Sequence, residues 1–409
     1  MHYFTHTFQD GLRLIHLPVD SPVAYCGFAV NAGARDEEAD ESGLAHFVEH
    51  LLFKGTEKRK AWHILNRMEN VGGELNAYTT KEDTFVYSIF MEEHFARAFE
   101  LLTDILFHSC FPPQEIEKEV DVILDEINTY KDNPSELIFD EFENLIFNGH
   151  ALGHHILGDE ASLRGFTSGS GLSFTRRFYV PSNMVFFSMG RIKPAKLIRL
   201  AEESRSLPSP SPFPAYCRKP PLPVPPQNKR IHRETHQTHV IIGGRSYCMY
   251  ESDRKRIPLF LLNNLLGGPG MNSRLNISLR EKHGLVYSVE SNISSYTDTG
   301  LASIYFGTDP RHTAKAVSLV HKELKKLCDT RLSSSQLAAV KKQVTGQLGV
   351  SNDNKESLFL NLGKHFLHHN SYESLHEVFG KIENVTAGDI LEAANEVFSP
   401  TGLSSLIYE

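Results

Sequence analysis

Hydrophobic positions change period several times along the chain, and each change marks an element. Residues 3–8, 13–17 and 23–30 are short β-rich runs, and Asp10-Gly11 predicts a hairpin turn between the first two. Nothing from Leu44 to Lys54 breaks a helix, and Ser42-Gly43 offers a start. A second helix is predicted over 61–71, ended by Gly72-Gly73. Residues 83–90 read as a strand and 92–107 as a helix. The clearest amphipathic stretch is 115–130, where Ile116, Val120, Ile123, Leu124 and Ile127 form one apolar stripe. Further helices are predicted near 135–148 and 173–179.

Between Pro208 and Pro226 the chain carries nine prolines, which exclude helix and central strand and predict a semi-rigid linker. Beyond it the pattern starts again. Strands are predicted at 239–244, 286–289 and 301–306, and helices at 257–266, 275–282, 314–328 and 334–350. The halves echo each other: strands, a helix with a glycine-bearing stop, a strand pair, a helix pair. The expected domains are therefore 1–207, a Pro-rich linker at 208–228, and a homologous domain at 229–409.

Composition narrows the class. With 40% hydrophobic and 22% charged residues, the chain suits a soluble globular protein. A net charge of −8 argues against nucleic acid as a partner. Five scattered cysteines suggest neither a disulfide frame nor a cysteine metal site, and fit a reducing compartment. No apolar run is long enough to span a bilayer, so a cytoplasmic location with no membrane partner is expected.

The candidate chemistry lies at residues 46–50, His-Phe-Val-Glu-His. On a helix His46 and His50 share a face, and two imidazoles so spaced can hold one metal ion. Glu49 beside them could act as a base. This is the H-x-x-E-H order, the inverse of the commoner H-E-x-x-H zinc motif. In a chain with 21 histidines such a match is open to coincidence, and it needs a third ligand elsewhere. Glu119 and Glu126, seven apart at the edge of the 115–130 stripe, could reach a metal or form a solvated acidic edge. His365, His368 and His369 form a rival cluster without an interleaved acid. His150, His154 and His155 read as surface or packing histidines. Laying residues 265–269 on 51–55 sets Asn264 opposite His50, Asn263 opposite Glu49 and Phe260 opposite His46, so a second copy could not bind metal.

Four separated stretches together resemble the pitrilysin family of zinc peptidases, the inverzincins. They are Gly43–His50 with Phe53-Lys54-Gly55-Thr56, Gly73–Thr79, Glu119–Ile127, and Met271–Leu275 leading into Leu279–Tyr287. In form the chain resembles the half-length, two-domain members such as the mitochondrial processing peptidase β subunit and its bacterial relatives. The resemblance implies one Zn2+ per chain, held by His46, His50 and Glu126, with Glu119 supporting and Glu49 as base. It further implies that Asn76 and Ala77 lie on an edge strand that pairs with substrate, and that Arg280 and Tyr287 join the active site from the second domain.

The expected fold is α+β: two homologous domains, each a mostly antiparallel sheet with helices on one face, forming a clamshell. The expected function is zinc-dependent endopeptidase action on extended peptides or small unfolded fragments in an interdomain chamber, by a homodimer. The alternative is a non-catalytic or partner-dependent subunit of the processing-peptidase kind.

Overall fold

A computed structural model describes residues 2–203 and 218–409. The chain forms two compact units: residues 1–128, 154–217 and 352–372 make the first, and 129–153, 218–351 and 373–409 the second. Residues 208–217 of the expected linker lie outside the described residues. Residues 218–227 have no regular secondary structure.

The first unit is built on six strands: β1 (Phe4–Thr7), β2 (Arg13–Pro18), β3 (Val23–Val30), β4 (Glu74–Thr79), β5 (Thr84–Met91) and β6 (Met184–Gly190). Their order is β1-β2-β6-β3-β5-β4, and only β2 and β6 run parallel. The second unit holds β7 (Asn228–Ile231), β8 (Thr238–Ser246), β9 (Val286–Ser295), β10 (Gly300–Thr308) and β11 (Ser404–Tyr408), ordered β7-β11-β8-β10-β9. Here only β7 and β11 run parallel. Thus β2, β6, β3, β5 and β4 correspond in position and direction to β7, β11, β8, β10 and β9. The repeated pattern in the sequence is a repeated topology.

Most helices of the first unit cover one face of its sheet. Leu44–Leu52, Ala61–Glu69, Phe95–Phe107, Pro113–Lys131 and Ser168–Phe178 pack there around Ala24, Cys26, Phe28 and Val30. The intervening residues Tyr25 and Ala29 face the other side and are buried as well. A strand covered on both faces loses the alternation of a half-exposed one, which is why 23–30 reads as an unbroken apolar run.

The cover on that second face corrects the contiguous domain division. It is the helix Lys355–His369, from the far half of the sequence. Phe359 stacks on Phe187 with centroids 4.4 Å apart, and Tyr87 Oη donates to Glu356 Oε1 at 2.9 Å. Gly363 permits the close approach, since a Cβ there would stand 2.7 Å from the Phe187 ring. Reciprocally, Pro134–Ile146 from the first half buries Ile138, Phe142 and Ile146 against Ile241, Leu301 and Leu406 of the second sheet. An amphipathic helix declares that it has an apolar face, not which sheet will cover it.

The rival histidine cluster sits on the exchanged helix and is spent on packing. His368 Nε2 lies 2.7 Å from the Asp83 carboxylate, and His365 Nδ1 bonds the Ser371 carbonyl at 2.7 Å. His150 likewise bonds the Lys219 carbonyl. Residues 275–282, expected as an ordinary helix, form a π-helical turn, Asn276–Glu281. Among the described residues no helix is long and apolar enough to cross a membrane.

One buried group gives the first unit a measurable acid sensitivity. His16 on β2 is fully buried, 2.9 Å from Ser188 Oγ, and burial pushes its pKa down to about 4. Unfolding releases the imidazole to its ordinary value of 6.5. Its contribution is therefore whole above pH 6.5 and is lost as pH falls toward 4. Acidification from pH 7 to 4.5 should cost His16→Gln roughly 2–3 kcal/mol less stability than it costs the parent chain, read from urea melts at the two pH values.

Candidate metal centre

The helix Leu44–Leu52 starts at Gly43, whose φ of +89° favours glycine. A Cβ there would also stand 2.7 Å from the Leu157 carbonyl. The first amides of the helix are met by a carboxylate: Glu37 accepts from Gly43 N at 2.9 Å and Ala45 N at 2.8 Å. Burial pushes Glu37 up to about 8, against the lowering by those two bonds. Leu44, Ala45, Phe47, Val48, Leu51 and Leu52 enter the core. That anchoring leaves His46 and His50 one turn apart on a shared face, ring centroids 4.6 Å apart.

The helix Pro113–Lys131 supplies the acids. Ile116, Val120, Ile123 and Ile127 enter the same core and set the helix's rotation. Glu126 Oε2 then lies 3.5 Å from His50 Nε2 and 3.8 Å from His46 Nε2. One ligand atom from each of these three residues lies within 4.8 Å of the others. A tetrahedral zinc ion with bonds near 2.0–2.1 Å needs ligand atoms roughly 3.3–3.4 Å apart, and the two Glu126 separations, 3.5 and 3.8 Å, lie slightly above that. Glu126 is about half exposed, which leaves a side open to solvent.

Two turns earlier on the same helix, Glu119 is buried. Its Oε1 lies 2.9 Å from His50 Nδ1 and its Oε2 2.6 Å from Lys54 Nζ. Burial raises the Glu119 carboxyl, but the bonds to His50 and Lys54 outweigh it and hold the group below its ordinary range. With Nδ1 committed to Glu119, His50 turns Nε2 toward Glu126. Burial lowers His50, yet the two carboxylates bring it up to about 9 without a metal. A divalent cation would take the place of that proton. His46, buried and beside His50, is pushed down to about 4 and stays neutral.

Glu49 lies between the two histidines in sequence and is largely buried. Its Oε2 has no hydrogen-bond partner among the described residues, and Thr79 faces the carboxylate. Burial raises its pKa, with Thr79 and the His50 charge opposing. The result is an acid–base group held beside the three candidate ligands with an oxygen uncommitted.

Asn76 and Ala77 lie on β4, paired with Tyr87 and Val86 of β5. Because β4 is the last strand in its sheet, its outer edge carries no strand among the described residues. Arg280 and Tyr287 belong to the second unit. The Arg280 guanidinium lies 5.7 Å from the Tyr287 ring centroid, and Tyr287 is 85% exposed. Both line a cavity of about 610 Å3 with Asn263, Asn264 and Gly268. Asn263 there exchanges hydrogen bonds with Ser291 of β9, and Asn264 donates to Gln347 at 2.7 Å. Neutral amides satisfy one another where the first unit sets imidazoles against carboxylates.

Two contributors are absent from the sequence reading. Lys54 has a signal, four residues beyond His50 on the helical period. Glu37 has none, because its partners are backbone amides that any residue would offer.

Three candidate ligands, a side open to solvent and a carboxylate oxygen without a hydrogen-bond partner among the described residues are the parts that a metallohydrolase site would need. The comparisons with known proteins narrow the class. The family model described as Insulinase (Peptidase family M16) matches residues 16–160, and that described as Peptidase M16 inactive domain matches 166–344. The Bacillus subtilis protein named uncharacterized zinc protease YmxG is 31% identical, covering 98% of this chain and 97% of its own. An uncharacterized zinc protease of Rickettsia felis is 32% identical over 98% and 96%. In fold, a protease from Helicobacter pylori superposes with a TM-score of 0.89 at 20% identity, covering 100% of this chain and 99% of its own. The chain belongs to the M16 family of peptidases, the zinc-protease family that its sequence resembles.

Proposed function

We propose that this protein is a zinc-dependent endopeptidase acting on extended peptides or small unfolded protein fragments, with His46, His50 and Glu126 holding one Zn2+. The observation that supports it best is the convergence of those three side chains around one point, with Glu49 buried beside them. Bound there, zinc supplies Lewis acidity, which polarises a carbonyl and acidifies water. Glu49 takes the proton of the attacking water on its uncommitted oxygen and returns it to the leaving amine. Glu119 keeps His50 in the tautomer and orientation that presents Nε2. The free edge of β4 at Asn76 and Ala77 offers backbone groups to an extended chain, which favours unfolded substrates. The part of Arg280 and Tyr287 rests on the family resemblance; the exposure of Tyr287 leaves its hydroxyl available to a substrate oxyanion. Homodimerisation and a cytoplasmic location rest on that resemblance and on composition.

The test is metal content together with cleavage of a random peptide pool by the purified single chain. Cleavage should stop with a chelator and return with zinc. A chain that binds zinc yet cleaves only when a second protein is added is a partner-dependent subunit; one that binds none removes the proposal.

A further inference from the structure

A cavity of about 430 Å3 in the second unit is lined by an excess of positive charge. None of its residues takes part in the hydrolysis proposed above. Lys322, Glu323 and Lys326 reach it from the helix Thr313–Asp329, where Lys322 and Lys326 are four apart and share a face. Arg274 precedes the π-helical turn Asn276–Glu281, and Lys282 and His283 follow it. Four formal cations thus line the cavity against a single carboxylate, in a chain whose net charge is −8.

That carboxylate is already engaged. Glu323 is buried and takes the Lys326 ammonium at 2.6 Å. Arg274 is half-buried, and no hydrogen bond or ion pair joins it, Lys282 or Lys322 to a side chain among the described residues. Burial pulls the Arg274 guanidinium below its ordinary range, with Glu323 opposing only through its charge. His283 Nδ1 donates to the Ser278 carbonyl at 2.7 Å, which leaves Nε2 as its remaining polar atom. Like charges gathered around a concave surface repel one another, and the field they create is relieved by a bound counter-charge.

We propose that this cavity binds an oxyanion of the phosphate class, either inorganic phosphate or the phosphate group of a small phosphorylated compound. A dianion answers an excess of cations better than a single carboxylate does. A planar guanidinium with flanking ammonium groups matches its oxygens. Ile277 and Leu319, also in the lining, would meet the organic part of an ester.

Calorimetric titration of the zinc-loaded full chain with inorganic phosphate, and separately with glycerol phosphate, tests this at an ionic strength held constant with KCl. Saturable binding is expected, and Arg274→Gln and Lys322→Gln should each weaken it roughly 10–100-fold. Lys325→Gln is the control: it lies on the same helix, pairs with Asp329 and does not line the cavity, so binding should be unchanged. Tighter binding of the ester identifies a phosphorylated compound as the ligand, and equal binding identifies free phosphate. Absence of saturable binding overturns the proposal, as does an equal loss in Lys325→Gln or none in Lys322→Gln. Lys322 is exposed, so its variant decides the matter even if Arg274→Gln fails to fold.

Discussion

Glu49→Gln should slow peptide hydrolysis by about 10²–10⁴-fold while bound zinc stays at its parental level. The amide keeps the volume and one oxygen but cannot accept and return a proton. The substitution disturbs little else. Glu49 Oε2 has no hydrogen-bond partner among the described residues to lose, and the helix is anchored by Phe47, Val48, Leu51 and Leu52 on its other faces. Burial already disfavours the charged form of Glu49, so the melting temperature should hold or rise slightly. The decisive measurement is kcat on a fluorogenic peptide with zinc content determined on the same sample. Cleavage at the parental rate would remove Glu49 as proton carrier and leave the proposed metal site standing.

The second large effect concerns affinity for the metal. Glu126→Gln should lower zinc affinity by more than about 100-fold, since even the outer partner Glu119, changed to Gln, is expected to cost about 10–100-fold. The two carboxylates should separate in their effect on the metal-free fold. Glu126 is about half exposed and among the described residues pairs with the two histidines alone, so its loss should lower the metal-free melting temperature less than loss of Glu119 does. Glu119 is buried and joins His50 to Lys54, so its loss leaves an ammonium without its partner and should lower that temperature. Competition against chelators of graded affinity, followed by melts of the stripped proteins, reads both quantities. If Glu126→Gln retains zinc like the parent, the third ligand lies elsewhere.

Much of the site was legible in sequence because helical spacing is a local property. His46 and His50 had to share a face once 44–52 was helical, and Glu119 and Glu126 had to share another once Ile116, Val120, Ile123 and Ile127 marked the buried side of their helix. The pairing of the two helices was not local. Helical spacing offered Glu119 and Glu126 alike as acids that could reach a metal, and only the resemblance singled out Glu126; an acidic edge in water would have looked the same. Packing of both helices into one core brings the carboxylate within 3.5 Å of His50. Glu37 escaped notice because a carboxylate that meets backbone amides leaves no pattern in the side chains around it.

The same division runs through the fold. Strand and helix positions and the repeat follow from periodicity and residue type, which act over a few residues and survive without tertiary context. The exchange of Pro134–Ile146 and Lys355–His369 between the two sheets does not. Each helix has an apolar face that would be satisfied by either sheet. Only the fit of particular side chains, such as Phe359 against Phe187 over the space that Gly363 leaves, selects the distant one.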